Sequence, residues 1–233
     1  MTLPVEKQNS GLMRAMFHQI APRYDFITRV FSFGMDTRWK RALVKEAHLP
    51  EKPLVLDLAS GTGDFSLLVR GQYPGARPVA TDLTERMLVL ARERSVDLAV
   101  CSDACLLPFP DGVFDCVCIG YGLRNFPDLG KALAEIARVT RKDGLFASLD
   151  FFLPASAFLR FLFLGHLYVQ GAFFGLLLHR RARTYTYIPD SISTFISIDE
   201  FSRRLRASGY SRVSQRRFLM GGIGLHWAAR EER

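Results

Sequence analysis

The residues best placed to do chemistry in this 233-residue chain lie within residues 53–64, PLVLDLASGTGD. A short apolar run (Leu54, Val55, Leu56) meets Asp57. A Gly-x-Gly turn follows at Gly61 and Gly63, and Asp64 opens a helical pattern. This is the strand, glycine turn and helix start of a nucleotide-binding βαβ unit. The glycines allow backbone dihedrals closed to other residues and let a ligand approach closely. The helix start leaves N–H groups unpaired beside the turn. A second run, RPVATD, ends at Asp82, nineteen residues beyond Gly63. That is near the separation of a carboxylate that hydrogen-bonds ribose hydroxyls. A dinucleotide fingerprint wants a third glycine three residues after Gly63, and Ser66 stands there instead. The pattern favours a ligand with ribose and adenine but no pyrophosphate, such as S-adenosylmethionine.

These residues need a scaffold, and the hydrophobic patterning supplies one. Between residues 53 and 152, strands predicted at 54–58, 78–82, 97–101, 114–120 and 145–151 alternate with helices at 64–70, 84–94 and 129–140. Such alternation argues for a parallel sheet covered on both faces. Strands at 211–219 and 223–229, after a helix stopped by Gly209, complete seven strands with one antiparallel member. Ligands of such sheets sit beyond the carboxyl ends of the strands. That rule gathers Asp57, Gly61, Thr62, Gly63, Asp82, Asp103, Gly120 and Asp150 around one crevice, with Arg124 and Asn125 from the loop YGLRNFPD above it. Residues 12–49 read as helices broken at Gly34, and serve either as a lid on the crevice or as packing on the sheet edge.

Four segments follow from this: a helical lid at 1–50, a ligand-binding core at 51–152, an apolar helical insertion at 153–195 and a completing helix and strands at 196–233. Residues 161–178 carry no formal charge, which borders on a membrane span by length. His166, Gln170 and three glycines interrupt the run, however, and a spanning helix would cut the sheet from its last strands. It is read as helices packed on the domain or as a greasy surface for a lipid, closed by the basic residues His179, Arg180, Arg181 and Arg183.

A formal charge of +8 favours anionic surfaces without choosing between lipid and nucleic acid. The first fourteen residues lack the apolar core of an export signal, which predicts a cytoplasmic protein. Cys101, Cys105, Cys116 and Cys118 lack metal-ligand spacing and read as ordinary thiols; no metal site is predicted.

Several longer stretches resemble the UbiE/MenG family of quinone-biosynthesis C-methyltransferases, which are class I S-adenosylmethionine-dependent enzymes. They are FHQIAPRYDFITRVFSFGMDTRW, DLASGTGD, LLPFPDGVFD, YGLRNFPD, YTYIPDS and GGIGLH. The resemblance implies a Rossmann-like seven-stranded α/β sheet with helices on both faces and a helical lid. It implies cofactor contacts from Thr62, Asp82, Asp103, Ala104 and Gly120. Here Asp103 replaces a usual Asn and Gly120 a usual Ser. It further implies a lipid-soluble prenylated quinol, benzoquinol or naphthoquinol, as substrate, with peripheral association at the inner membrane and a homodimer or a complex of quinone-biosynthesis enzymes as assembly. On this reading Arg124 holds the phenolate side, directly or through water, a water or a carboxylate such as Asp150 takes the proton, and Tyr24, Asp25 and Tyr187 are candidates to orient the ring. Another aromatic small molecule is the alternative substrate. Nucleic acid is disfavoured, because the fourth strand ends in GYGLRN rather than in the motif that flips bases, and no RNA-binding module is attached.

Overall fold

The computed structural model describes residues 10–180 and 183–230. The export-signal reading of the first residues and Arg181 of the basic cluster fall outside them, as do the side chains of His179 and Arg183. Seven strands form one sheet: β1 (Leu54–Leu58), β2 (Arg77–Asp82), β3 (Leu98–Cys101), β4 (Phe114–Gly120), β5 (Thr140–Phe151), β6 (Tyr210–Phe218) and β7 (Ile223–Arg230). Their order is β3-β2-β1-β4-β5-β7-β6. β1 through β5 pair in parallel, and β7 runs antiparallel to both β5 and β6. The chain winds outward in opposite directions from β1 and β4, so the crevice of a doubly wound sheet opens between these two strand ends.

Alternation along the strands feeds two separate cores. Val55 of β1 and both Cys116 and Cys118 of β4 face one layer. Leu56, Leu58, Val117 and Ile119 face the other. The first layer is built with α1 (Ser10–Ile20), α2 (Tyr24–Phe31), α3 (Asp36–Lys45), α4 (Asp64–Gln72), α7 (Ala157–His179) and α8 (Arg183–Ser193). The second is covered by α6 (Leu129–Val139) and α9 (Ile198–Ala207); α5 (Glu85–Glu93) packs its own small cluster near β2. α2 and α3 are separated at Gly34, whose φ of +74° only glycine adopts cheaply. The terminal helix stops before Gly209 at φ +94°, a left-handed C-terminal signal.

Two boundaries differ from the reading of the sequence. β5 starts at Thr140 rather than 145, because Thr140 is already extended (φ −73°, ψ 128°) and ends α6 there. The apolar stretch is one continuous helix, α7, capped by the Ser156 hydroxyl, which accepts from the Leu159 N–H. Its inward side sends Phe163 and Leu167 into the first core, and Gly171 lets it close on α8: a Cβ there would stand 2.9 Å from the Tyr185 carbonyl oxygen.

His226, at the centre of β7, is fully buried between the rings of Phe152 and Phe201. Neither ring nitrogen has a close hydrogen-bond partner. Burial disfavours the imidazolium and lowers its pKa from 6.5 to about 4. The unfolded chain therefore binds the proton first, and stability present above pH 6.5 is lost as the pH falls toward 4. Because the raised carboxyl of Asp57 acts in the opposite sense, the test is the difference: between pH 7.5 and pH 5, urea unfolding should change less favourably for the parent than for His226→Leu by about 2 kcal/mol. Equal changes in the two would show that His226 does not carry this acid sensitivity.

Candidate active site

The glycine turn is held from both sides. The Asp57 carboxylate accepts from the Ser66 N–H at 2.8 Å and from its hydroxyl at 2.7 Å, pinning the first turn of α4 to β1. The residue that breaks the dinucleotide fingerprint is thus the partner of Asp57. From β2, Asp82 accepts from the Gly61 N–H at 3.0 Å with one oxygen and from the Thr84 N–H at 2.8 Å with the other. Burial raises the Asp82 pKa, while these N–H groups favour the charged form. A carboxylate has about four lone-pair positions. Two are used by these N–H groups and the Thr84 side chain takes part as well, which leaves Asp82 limited acceptor capacity for a ligand.

Beyond these strand ends lies a cleft whose empty space, open mouth included, is about 750 Å³. Gly61, Asp82, Ser102, Asp103, Ala104 and Gly120 line it, together with Met13 and Phe17 of α1, Tyr24 of α2, and Phe126. Asp103 is fixed by the N–H of Cys105, which donates to it at 2.8 Å. Phe17 meets Tyr24 and Tyr187 edge-on at 6.2 and 6.3 Å between ring centres. The N-terminal helices therefore lie over the crevice. Gly61 sits at φ +53°, and a Cβ there would project to 3.4 Å from the Tyr24 ring, into the gap between turn and lid. A lining of two carboxylates among apolar and aromatic walls fits an adenosyl group carrying a methionyl arm.

Some of the expected site residues have other work. Asp57 does not line the cavity; burial pushes its carboxyl up to about 7 despite the Ser66 bonds, and it braces the turn. Gly63 (φ +83°) also stays off the cavity, since a Cβ there would strike Val96 at 2.7 Å: it serves helix packing. The Thr62 hydroxyl, expected at the cofactor, donates to Asp25 at 2.7 Å and receives a 2.7 Å bond from Arg94. Gly120 does line the cavity, and its lack of a side chain has a packing cause: a Cβ would lie 2.6 Å from the Phe65 ring.

Arg124 and Asp150 are brought together, but with each other. Their side chains pair at 2.7 Å with 6% and 0% exposure, and neither lines the cavity. Asp150 also accepts from the N–H groups of Leu123 and Phe151, both at 2.7 Å. Fully buried and off the cavity lining, it stands behind the wall rather than where the expected proton transfer would place it. Arg124 further donates to the Tyr121 carbonyl at 2.7 Å and to Ser191 at 3.2 Å. Asn125 does reach the cavity, held by Tyr187, whose hydroxyl donates to its side-chain oxygen.

Sequence reasoning missed the charged clasp between lid and core. Arg94, just after α5, donates to Thr62, to Asp64 at 2.7 Å and to Asp25 of α2 at 3.3 Å. Lys40 of α3 bridges Asp36 at 2.8 Å and Asp64 at 2.7 Å. Burial works against the Lys40 charge, but the two carboxylates outweigh it and raise its pKa. Only the acid opening α4 was visible in the sequence; its partners lie 24 and 30 residues away.

Asp82→Ala removes both the Gly61 brace and the remaining acceptor positions, and should weaken S-adenosylmethionine binding roughly tenfold to a hundredfold by titration calorimetry. Asp57→Asn, which keeps an acceptor for Ser66, should leave that affinity within about threefold. The reverse ranking would contradict the assignment of turn and ligand roles.

A family model described as the ubiE/COQ5 methyltransferase family matches residues 5–230. A demethylmenaquinone methyltransferase of Deinococcus radiodurans is 38% identical over 94% of this chain and 93% of its own length. Another, of Thermus thermophilus, is 37% identical over 84% of this chain and 91% of its own. A ubiquinone/menaquinone biosynthesis C-methyltransferase of Desulfotalea psychrophila is 36% identical, covering 92% and 89%. Solved structures share the fold at lower identity. A methyltransferase bound to the Haloferax volcanii Trm112 activator aligns with a TM-score of 0.68 at 18% identity, covering 93% of this chain and 98% of that one. A SAM-dependent methyltransferase of Thermotoga maritima aligns at 0.67 and 19%, covering 93% and 99%. The chain belongs to the ubiE/COQ5 family and is an S-adenosylmethionine-dependent methyltransferase of the class I Rossmann-like fold.

Proposed function

We propose that this enzyme C-methylates the ring of a prenylated quinol in quinone biosynthesis, working on the cytoplasmic side of the membrane that dissolves its substrate. The observation that carries the reading is the make-up of the cavity wall: the carboxylates of Asp82 and Asp103 together with the aromatic rings of Phe17, Tyr24 and Phe126. The relatives named for demethylmenaquinone and ubiquinone/menaquinone methylation support it.

When bound, S-adenosylmethionine supplies a methyl group on a positively charged sulfur. Gly61, Asp82, Asp103 and Ala104 are the residues to hold its adenosyl part. Phe17, Tyr24 and Phe126 orient a flat ring and keep water from it, which turns two reactants into an aligned pair. A phenol becomes a carbon nucleophile when its hydroxyl loses a proton to water, the methylated ring carbon then loses its own proton to restore the aromatic quinol, and a nearby fixed cation favours the phenolate. Arg124 is that cation on this reading. Asp150 and the Tyr121 carbonyl fix its guanidinium, so it acts as a positioning and electrostatic residue behind the Tyr121–Asn125 wall. Its charge already opposes the upward push that burial gives the Tyr24 and Tyr187 hydroxyls, each raised above the ordinary 10.0. The lid of residues 1–50 and the insertion of residues 153–195 are, on this view, the parts that specialise a common core of residues 51–152 for a hydrophobic ring, with residues 196–233 closing the sheet. A homodimer or a complex of quinone-biosynthesis enzymes is consistent with the reading.

Incubation with labelled S-adenosylmethionine and either a demethylated naphthoquinol or a demethylated benzoquinol, with mass spectrometry to locate the new methyl, tests the reaction. Label on a ring carbon supports it, and label on oxygen, or on neither quinol, overturns it. Arg124→Gln should cut kcat about a hundredfold and shift the rising limb of its pH profile upward, while the dissociation constant of S-adenosylmethionine changes little. Arg124→Lys should recover part of the rate. Parallel loss of cofactor binding and turnover would make Arg124 merely structural.

A further inference from the structure

α7 is 23 residues long, and only one side of it meets the protein. On the other side Phe158, Phe161, Val169, Phe173, Leu176 and Leu177 are 57–74% exposed. Their spacing of three, four and seven residues lines them along one helix face. Two exposed phenylalanines of the lid region join this face. Phe26 packs edge-on to Phe174 at 6.0 Å, and Phe33 stacks on His166 at 5.0 Å. So large a contiguous apolar patch marks an interaction surface.

Charge says what covers it. No Asp or Glu occurs between Asp150 and Asp190, whereas Arg160 and Arg180 lie at the two ends of α7. Arg180 and Arg29 are exposed near its C-terminal and lid sides. Arg23 donates to the Leu178 carbonyl and ties the lid to the same end. Apolar side chains flanked by cations, with Asp190 held by the Tyr168 hydroxyl of α7 as the acid beside them, suit an anionic bilayer surface. α7 is long and apolar enough to cross a membrane by composition. Its inward side, though, is fixed to β7 and α8: Phe163 fills the space where a Cβ of Gly222 would stand, and Gly171 abuts Tyr185. This holds the helix flat on the domain instead of across a bilayer.

We propose that α7, with Phe26 and Phe33, forms a face that lies in the surface of an anionic bilayer and brings the cavity mouth to the lipid. α2 joins the two sides. Its Tyr24 lines the cavity and its Phe26, two residues on, sits on the exposed face. The separation is one helix width, about 10 Å. A quinol ring can thus reach the cavity while its prenyl tail stays in lipid. The delivery role rests on the quinol reading of the reaction; the binding of lipid does not.

Vesicle co-sedimentation without substrate tests the surface directly. The parent protein should sediment with phosphatidylglycerol vesicles, and less with phosphatidylcholine vesicles. The variant Phe161→Ser/Val169→Ser/Phe173→Ser should lose at least tenfold in partitioning, yet bind S-adenosylmethionine as before and methylate a short-chain, water-soluble quinol at an unchanged rate. Arg160→Gln/Arg180→Gln, which leaves the apolar side chains in place, should remove the preference for anionic lipid. A parent protein that stays in the supernatant with both vesicles overturns the proposal, as does a triple variant that sediments equally well. A stable dimer that buries α7 and ignores vesicles also overturns it. Failure of the quinol reading would appear separately, as lipid binding without methylation of any quinol.

Discussion

The bond between the Gly61 N–H and the Asp82 carboxylate sets the geometry on which the site depends. It ties the turn after β1 to the end of β2 at 3.0 Å, beside the β1–β4 gap where the sheet changes winding direction. A left-handed glycine presents its N–H to a carboxylate without side-chain interference. The same carboxylate retains limited acceptor capacity toward the cavity. Structural and ligand roles are thus not alternatives for Asp82. Asp57 makes the complementary brace on the far side of the turn, and its two bonds to Ser66 explain why a serine is useful where a dinucleotide-binding chain would place glycine.

Charged groups perform the next level of organisation. Lys40, Asp36, Asp64, Arg94, Thr62 and Asp25 connect α2 and α3 to the turn and to α4 through a continuous set of ion pairs and hydrogen bonds. Ion pairs this well covered add little net stability over apolar packing, but removing one partner strands a charge. Their value lies in defining where the lid rests. Arg124 and Asp150 do the same for the wall that carries Tyr121 and Asn125. Tyr121 is held there at φ +60°, an uncommon conformation for a tyrosine, by the loop bonds that Arg124 and Asn125 make to its carbonyl.

Much of this was legible in the sequence. The βαβ signature, the alternation of strands and helices and the terminal antiparallel strand all follow from local patterns of period two and 3.6, and the sheet has the expected seven strands. Asp82, Asp103, Ala104, Gly61, Gly120 and Tyr24 come together around one cavity because strand ends and their turns must meet at the switch point. What sequence could not show was pairing at a distance. Nothing in ARERS marks Arg94 as the partner of Thr62, and nothing near YGLRN says that Arg124 pairs with Asp150 behind the cavity wall instead of lining the cavity. Packing reasons were equally hidden: Gly120 is small because Phe65 occupies the space, and Gly63 because Val96 does. Hydropathy marked residues 158–178 as unusual, but only the packing of Phe163 and Gly171 distinguishes a helix lying on the domain from one leaving it.

The most direct test of the central claim is a crystal structure with S-adenosylhomocysteine bound. The ribose hydroxyls should lie about 3 Å from the Asp82 carboxylate, the adenine beside Asp103 and Ala104, and the sulfur should point toward Tyr24. An adenosyl group seated anywhere else, with Asp82 bonded only to Gly61 and Thr84, would contradict the account.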